Sequence, residues 1–256
     1  MQIATWNVNS LKVRLEQVLE WLLRHPNVGI LCLQETKVED HNFPIAVLHE
    51  AGFYLAFAGQ KTYNGVALIS RYPLHQVQIN IPSFADTQKR VIAATCQGVR
   101  IVCVYVPNGQ SVDSDKYHYK LGWLDALTQW LADELTRHPK LALLGDYNIA
   151  PADCDVHDPE KWIGDVLVSP AERAAFQALL SLGLVDSFHL FPQEEKLFSW
   201  WDYRKFAFRR NAGLRIDHIL LSHALASYCT ACEIDKIPRN HERPSDHTPV
   251  IATLAL

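Results

Sequence analysis

The sequence predicts an α/β protein built on two sheets packed face to face, with helices outside. Short β-like runs outnumber helix-like ones. Many of them are separated by gaps of hairpin length. Together these favour two packed sheets over one doubly wound parallel sheet.

Taken in order, residues 2–8 read as a strand and Val13–Arg24 as an amphipathic helix, with Val18, Leu19, Leu22 and Leu23 on its apolar side. Val28–Leu33 is a strand rich in Ile, Leu and Val, and Phe43–Ala51 a helix ending near Gly52. Five strands follow, at Tyr54–Ala58, Gly65–Ser70, His75–Ile79, Arg90–Cys96 and Arg100–Val106, with Pro and Gly marking the turns. Lys116–Arg137 is a long helix carrying Leu121, Leu124, Leu127, Leu131 and Leu135, and Leu141–Leu144 is a buried strand. Ser169, Pro170 and Glu172 open a helix over Pro170–Leu182, which Gly183 stops. Leu214–Ser222, Cys229–Ile237 and Thr248–Leu254 close the chain as strands.

The chain has 256 residues, 48% of them hydrophobic, enough to bury a large core. No linker-like tract divides it, so residues 1–256 are expected to form one domain. No leader-like segment and no 18-residue apolar span is present, which points to a cytoplasmic protein without a membrane partner. The six cysteines are expected to be reduced thiols: Cys229 and Cys232 form the one CxxC pair, and a redox or zinc role needs more than that. A net charge of −4 argues against attachment to nucleic acid by bulk charge. A local basic face remains: Lys196, Arg204, Lys205, Arg209, Arg210 and Arg215 are interleaved with Trp200, Trp201, Tyr203, Phe206 and Phe208. Such a mixture can grip phosphates and stack on bases, or its aromatics can simply pack inward.

The chemistry lies at the ends of apolar runs. Asn7 and Asn9, Gln34 and Glu35, Tyr105 and Asn108, and Asp146 and Asn148 each close such a run. Polar groups at strand ends can converge at the rim of a sheet core, and oxygen ligands there suit a hard divalent cation. Glu35 is the strongest ligand candidate, with Lys37 near enough to reach a phosphate; Asn7 and Asn9 can complete a Mg²⁺ shell or serve as turn residues. Asp146 and Asn148 would project to one side of an extended chain, where the carboxylate can take a proton from water and the amide can donate to a phosphoryl oxygen. An Asx turn after the strand is the plainer reading. His247, in RPSDHTP, can donate to a phosphoryl oxygen once protonated, with Asp217 of LRIDH as the carboxylate that holds it charged. Tyr105 offers a hydroxyl.

The motifs TWNVNSLKVR, LCLQETKV, GQKTYNGVALIS, QKRVIAA, VYVPNG, LLGDYNIAPADCDVHDP, GLVDSF, FSWWDYR, GLRIDHILLS and RPSDHTPV, in this order, resemble the exonuclease III family of DNA repair nucleases, within the endonuclease/exonuclease/phosphatase superfamily. The resemblance runs from Ile3 to Leu254. It implies a four-layer α/β sandwich, two packed mixed β-sheets flanked by helices, with the site at one end. It implies that Glu35 is the principal metal ligand beside Asn7 and Asn9, with Asp246 as a second acid near the metal. Asp146 activates water with support from Asn148, Asp217 pairs with His247, and Tyr105 and Asn108 contact the scissile phosphate. Lys37, Lys89 and Arg90 match positions that meet the DNA backbone; Arg204, from the basic segment, is a further candidate to bind phosphate. Trp200, Leu214 and Ile216 match the wall that receives a flipped abasic sugar, which the loop from Asp153 to Ser169, with His157 and Trp162, can narrow. The implied enzyme is a monomer requiring Mg²⁺, or Mn²⁺ as a substitute. It acts on double-stranded DNA at abasic sites, nicks or 3′ ends in base excision repair.

Two rivals stand beside it. A superfamily phosphatase acting on a small phosphorylated molecule would have no use for the aromatic-basic segment. A DNA-binding scaffold with a decayed site would have lost some of Glu35, Asp146, Asp217 or His247, and all are present. Glu35→Ala is expected to shift the divalent-metal requirement as well as the rate; an unchanged metal titration would remove Glu35 as a ligand.

Overall fold

A computed structural model describes residues 1–256. Twelve strands form two six-stranded mixed sheets. The first contains β1 (Gln2–Asn7), β2 (Val28–Gln34), β3 (Tyr54–Ala58), β4 (Val66–Ser70), β11 (Cys229–Ile234) and β12 (Val250–Leu254), in the order β11-β12-β1-β2-β4-β3. The second contains β5 (His75–Ile79), β6 (Val91–Cys96), β7 (Val99–Tyr105), β8 (Leu141–Asp146), β9 (Leu184–Asp186) and β10 (Asp217–Ser222), in the order β5-β6-β7-β8-β10-β9. Each sheet has one parallel pair, β1 with β2 and β7 with β8; every other pairing is antiparallel.

Alternation along each strand sorts the side chains into layers. Ile3, Ile30, Cys32, Ile101, Cys103, Ala142, Leu144 and Ile219 face the space between the sheets. Ala4, Trp6, Leu31 and Leu33 face the other way, onto the helices α1 (Leu11–Arg24) and α2 (Ile45–Glu50). Val102, Val104, Leu141 and Leu143 pack on α3 (Asp115–Arg137) and α5 (Pro170–Ser181); short turns α4 (Pro159–Trp162) and α6 (His223–Ala226) complete the helices. The result is the four-layer sandwich expected.

The same parity places the polar strand ends. Counting by twos, Asn7 follows Ile3 in β1, Gln34 follows Cys32, Tyr105 follows Cys103 and Asp146 follows Leu144. All therefore emerge between the sheets at one end. Pairing lines up Asn7 with Gln34, and Asp146 with both Tyr105 and Asp217. Gly145 makes the second alignment possible: a Cβ there would lie 1.9 Å from the Val104 carbonyl oxygen.

Helix ends follow their sequence signals. Ser114 caps α3 by accepting from the Tyr117 amide, and Ser169 and Glu172 form a capping box on α5 behind Pro170. Several readings change. Leu23 is 73% exposed; Trp21 takes its place on the buried face of α1. The strand at Leu141 continues to Asp146, while the strand expected from Leu214 starts only at Asp217. Residues 214–216 lie before it because Leu214 bridges instead to Val156 and Trp200. All six cysteines are free.

Arg215 departs furthest from expectation. It is 1% exposed and not part of a basic face. Its guanidinium donates to Asp155 at 2.6 Å and Asp186 at 2.8 Å, and contacts His218 Nδ1 at 3.0 Å. His218 Nε2 lies 2.8 Å from the Ile149 carbonyl, which fixes the neutral tautomer with its proton on Nε2. Burial, and then Arg215, push the pKa of His218 down to about 4. The unfolded imidazole titrates near its ordinary value of about 6.5, so the unfolded chain takes up a proton first on acidification. Stability is therefore expected to fall from about pH 6.5 to about pH 4, by up to about 1.4 kcal/mol per pH unit. His218→Gln should flatten that slope in denaturant titrations; an unchanged slope would place the titrating group elsewhere.

Candidate active site

At the end of the sandwich, the two sheets are stitched by side chains. Asn7 of β1 donates its amide to Glu35 at 2.9 Å and, across the sheets, to Asp146 of β8 at 2.8 Å. His247, which leads into β12, contacts Asp217 of β10 through Nδ1 at 2.9 and 3.1 Å. Its Nε2 lies 3.7 Å from Asp146. Ligand atoms of Glu35, Asp146 and His247 all fall within 4.8 Å of one another.

Electrostatics at this centre are dominated by buried acid. Burial, with the nearby Asp217 and Glu35 carboxylates, lifts Asp146 to about 7 against the opposing pull of His247 and the Asn7 amide. Burial would lower His247, but Asp217 first and then Asp146 overcome it and raise the imidazole to about 10. Burial also raises Tyr105 well above its ordinary value, and Glu35 and Asp146 add to the effect, so its hydroxyl keeps its proton. Arg90 stacks its guanidinium 4.7 Å over the Tyr105 ring.

The backbone is bent to aim these groups. Asn9, Glu35, Lys37 and Asn148 all have positive φ, between 43° and 52°. Left-handed backbone is disfavoured for residues with a Cβ, and its concentration here marks a site whose geometry is held by its surroundings. Asp146 and Asn148 do not project together from extended chain. They form an Asx turn, Asn148 N–H donating to Asp146 Oδ1 at 2.9 Å. Both amide hydrogens of Asn148 are engaged, by Val106 O at 3.0 Å and Asp146 Oδ2 at 3.3 Å. Asn148 therefore braces Asp146 and is not free to donate to a phosphate. Asn108 donates to Asn148 Oδ1 at 3.1 Å and keeps a second amide hydrogen for the cleft.

Other expected residues take different places. Gln34 is fully buried, bonded to Thr5 and Cys103, and does not reach the cleft. Asp246 stands outside the Glu35 cluster: its oxygens accept from Asn9 at 3.0 Å and Trp200 at 3.0 Å. Lys37 joins the two groups, 2.8 Å from Glu35 and 2.5 Å from Asn9 Oδ1. Leu214 and Ile216 are 0% and 1% exposed, because they back Trp200 within a small apolar cluster and do not line an open wall. Trp201 and Phe198 are buried likewise, so only part of the aromatic-basic segment faces out. Lys89 is half-buried, its main chain held by Gln60 and Gly65.

One open cleft meets this centre and a second lies beside it at Trp200. One, of about 770 Å³, is lined by Glu35, Tyr63, Arg90, Tyr105, Asn108 and Lys116. The other, of about 380 Å³, is lined by His157, Trp162, Trp200, Arg204, Lys205 and Arg210. Sequence reasoning missed two serines. Ser199 donates to Asp217 at 2.7 Å, and Ser245 donates to the Asn7 carbonyl at 2.7 Å while accepting from His247 N–H. Their signal was position alone, within the motifs FSWW and RPSDH.

The donor set fits a hard divalent cation. Carboxylates outnumber the cations that face them, and burial, with the neighbouring Asp217 and Glu35 carboxylates, raises Asp146 in spite of His247. A cationic imidazole, a retained phenol and buried carboxylates that fit a hard cation share one rim, an arrangement suited to phosphoester hydrolysis. Residues 4–247 match the family described as Endonuclease/Exonuclease/phosphatase, and the chain belongs to it. Within that family its homologues, over nearly its whole length, are exonuclease III and AP endonuclease proteins, and it is a hydrolase of that type. It is 35% identical to exodeoxyribonuclease III of Haemophilus influenzae, over 98% of this chain and 99% of that one. A Neisseria 3′ phosphatase, solved in its D146N form with a product DNA hairpin, is 49% identical, with a TM-score of 0.98 and full coverage of both chains. An AP endonuclease from Archaeoglobus fulgidus is 39% identical, with a TM-score of 0.96 and full coverage of both.

Asp217→Asn should remove the charge that chiefly raises His247. A histidine raised to about 10 stays cationic below that pH, so the variant should lose the cation at lower pH. The alkaline limb of the rate profile should move toward neutrality by more than one pH unit. An unmoved limb would detach it from this pair.

Proposed function

We propose that this chain is a divalent-metal-dependent DNA repair phosphodiesterase acting on the 3′ ends of double-stranded DNA. It would degrade 3′→5′ and clear 3′ blocking groups in base excision repair, with incision 5′ of abasic sites as a second activity. The observation that carries this is the buried Asp146–His247–Asp217 array opening onto a cleft lined by Arg90, Tyr105 and Asn108. The relatives described above support the substrate.

Glu35, with Asn7 and Asn9 beside it, would hold Mg²⁺, or Mn²⁺ as a substitute. Bound there, the ion offsets charge on the phosphoryl oxygens and eases departure of the leaving oxygen. Asp146, near neutrality in its acid–base balance, takes the proton of the attacking water. Asn7 and Asn148 fix the orientation of that carboxylate. His247 donates Nε2–H to a phosphoryl oxygen, and Asp217 keeps it charged. Tyr105 and the free amide hydrogen of Asn108 donate to the same phosphate. Lys37, Lys89, Arg90 and Arg204 contact the backbone, and Trp200 forms one wall for the terminal sugar.

His157 and Trp162 line the cleft beside Trp200, where their packed rings would narrow the space open to a flipped abasic sugar. Residues 1–256 would act as one domain and as a monomer, in the cytoplasm. No helix is long and apolar enough to cross a membrane.

A time course on two duplexes, one with a central abasic site and one with a recessed 3′ end, tests the division. Faster turnover at the recessed end is expected. Hydrolysis of small phosphate esters alone would discard the DNA substrate. Asp146→Asn and His247→Ala should each lower turnover by about 10²-fold or more, since positioning and charge stabilisation dominate such chemistry. Near-native turnover in either would remove its role.

A further inference from the structure

Lys120 lies on the buried stripe of α3 and is completely shielded from solvent. Its ammonium has three acceptors on three segments: the Asn148 carbonyl at 2.6 Å, the Asn108 carbonyl at 3.2 Å and the Glu172 carboxylate. An ammonium carries three N–H bonds, so every donor is used. Two of the three acceptors are main-chain oxygens of residues that face the reacting centre.

Those two segments need holding. Asn148 sits at φ +49°, and Gly109, next to Asn108, at φ +95°. A Cβ on Gly109 would lie 3.2 Å from Lys120 Cδ, so this turn rests directly on the lysine stem. The Asn108 and Asn148 side chains bond to each other at 3.1 Å, and Asn148 then braces Asp146. Glu172 in turn accepts from Leu167 N–H at 3.0 Å and from both Ser169 N–H and Oγ–H, which ties the base of the 153–169 loop to the same point.

We infer that Lys120 is a positioning residue of the active site: by holding the Asn108 and Asn148 carbonyls it sets the two amides that orient Asp146 and meet the phosphate. This rests on the 3′-end nuclease reading above. An apolar replacement takes a donor from two interior carbonyls and leaves the Glu172 carboxylate, still held by Leu167 and Ser169, without its counter-charge. An arginine cannot place its planar fork on three converging acceptors in the space of an ammonium.

The test compares wild type, Lys120→Met, and Lys120→Met with Glu172→Gln, on a duplex with a recessed 3′ end. The double substitution removes both buried charges and retains an acceptor at residue 172, so it keeps the fold measurable where Lys120→Met alone leaves Glu172 uncompensated. The double variant is expected to unfold near the wild-type midpoint, with kcat lowered at least about tenfold and KM little changed. Adding Asn148→Ala should lower kcat no further than Asn148→Ala does alone, because residues acting as a unit are non-additive. Wild-type kcat in the folded double variant, or losses that multiply with Asn148→Ala, would overturn the inference. So would failure of both lysine variants to fold, which would make Lys120 a requirement of folding only. Inactivity of wild type on this duplex would instead overturn the substrate reading.

Discussion

The site depends on two hydrogen bonds that cross from one sheet to the other: Asn7 to Asp146, and His247 to Asp217. Each joins an oxygen of the second sheet to a nitrogen of the first. Both require the sheets to meet at one fixed offset, and the dry layer between them sets that offset. Buried side chains interlock there at near-crystalline density, and close packing does not allow gradual sliding. The strength of the charge pair follows from the same burial. A carboxylate and an imidazole shut away from water interact far more strongly than on a surface, and a break on either side leaves the other uncompensated.

The acid excess at the rim has a related origin. Three carboxylates, Glu35, Asp146 and Asp217, converge where one imidazolium and one lysine face them. An arrangement that leaves negative charge under-compensated is costly in a resting protein and useful in one that receives a cation. The left-handed turns at Asn9, Glu35, Lys37 and Asn148 add conformational cost of the same kind. Lys120, Ser199 and Ser245 offset it, each with hydrogen bonds to groups within or beside the rim.

Strands were legible because continuous apolar runs ending in polar residues leave few alternatives, and parity then fixed which face each terminal side chain takes. Asp217 and His247 could be named only as candidate partners, since an Asp-His step alone is a weak signal that a strand-end turn also explains; the family motifs strengthened the pair. What escaped was long-range pairing. Arg215 reads as one more cation in a basic stretch because Asp155 and Asp186, which bury it, lie far off in the chain. Lys120 escaped for the opposite reason. It falls on the apolar stripe with Tyr117, Leu124 and Leu127, a visible oddity whose partners only the fold supplies. Leu214 and Ile216 were placed one layer too far out, because a motif gives neighbourhood without depth.

The division of the site between two sheets bears on how the array is assembled. Neither sheet alone carries the charged array: Glu35 and His247 belong to one, Asp146 and Asp217 to the other. His247 stands just before β12, the strand that joins β11 to β1. A copy with only one sheet folded therefore lacks the array. The array is complete only when β12 takes its place between β11 and β1 and the two sheets meet.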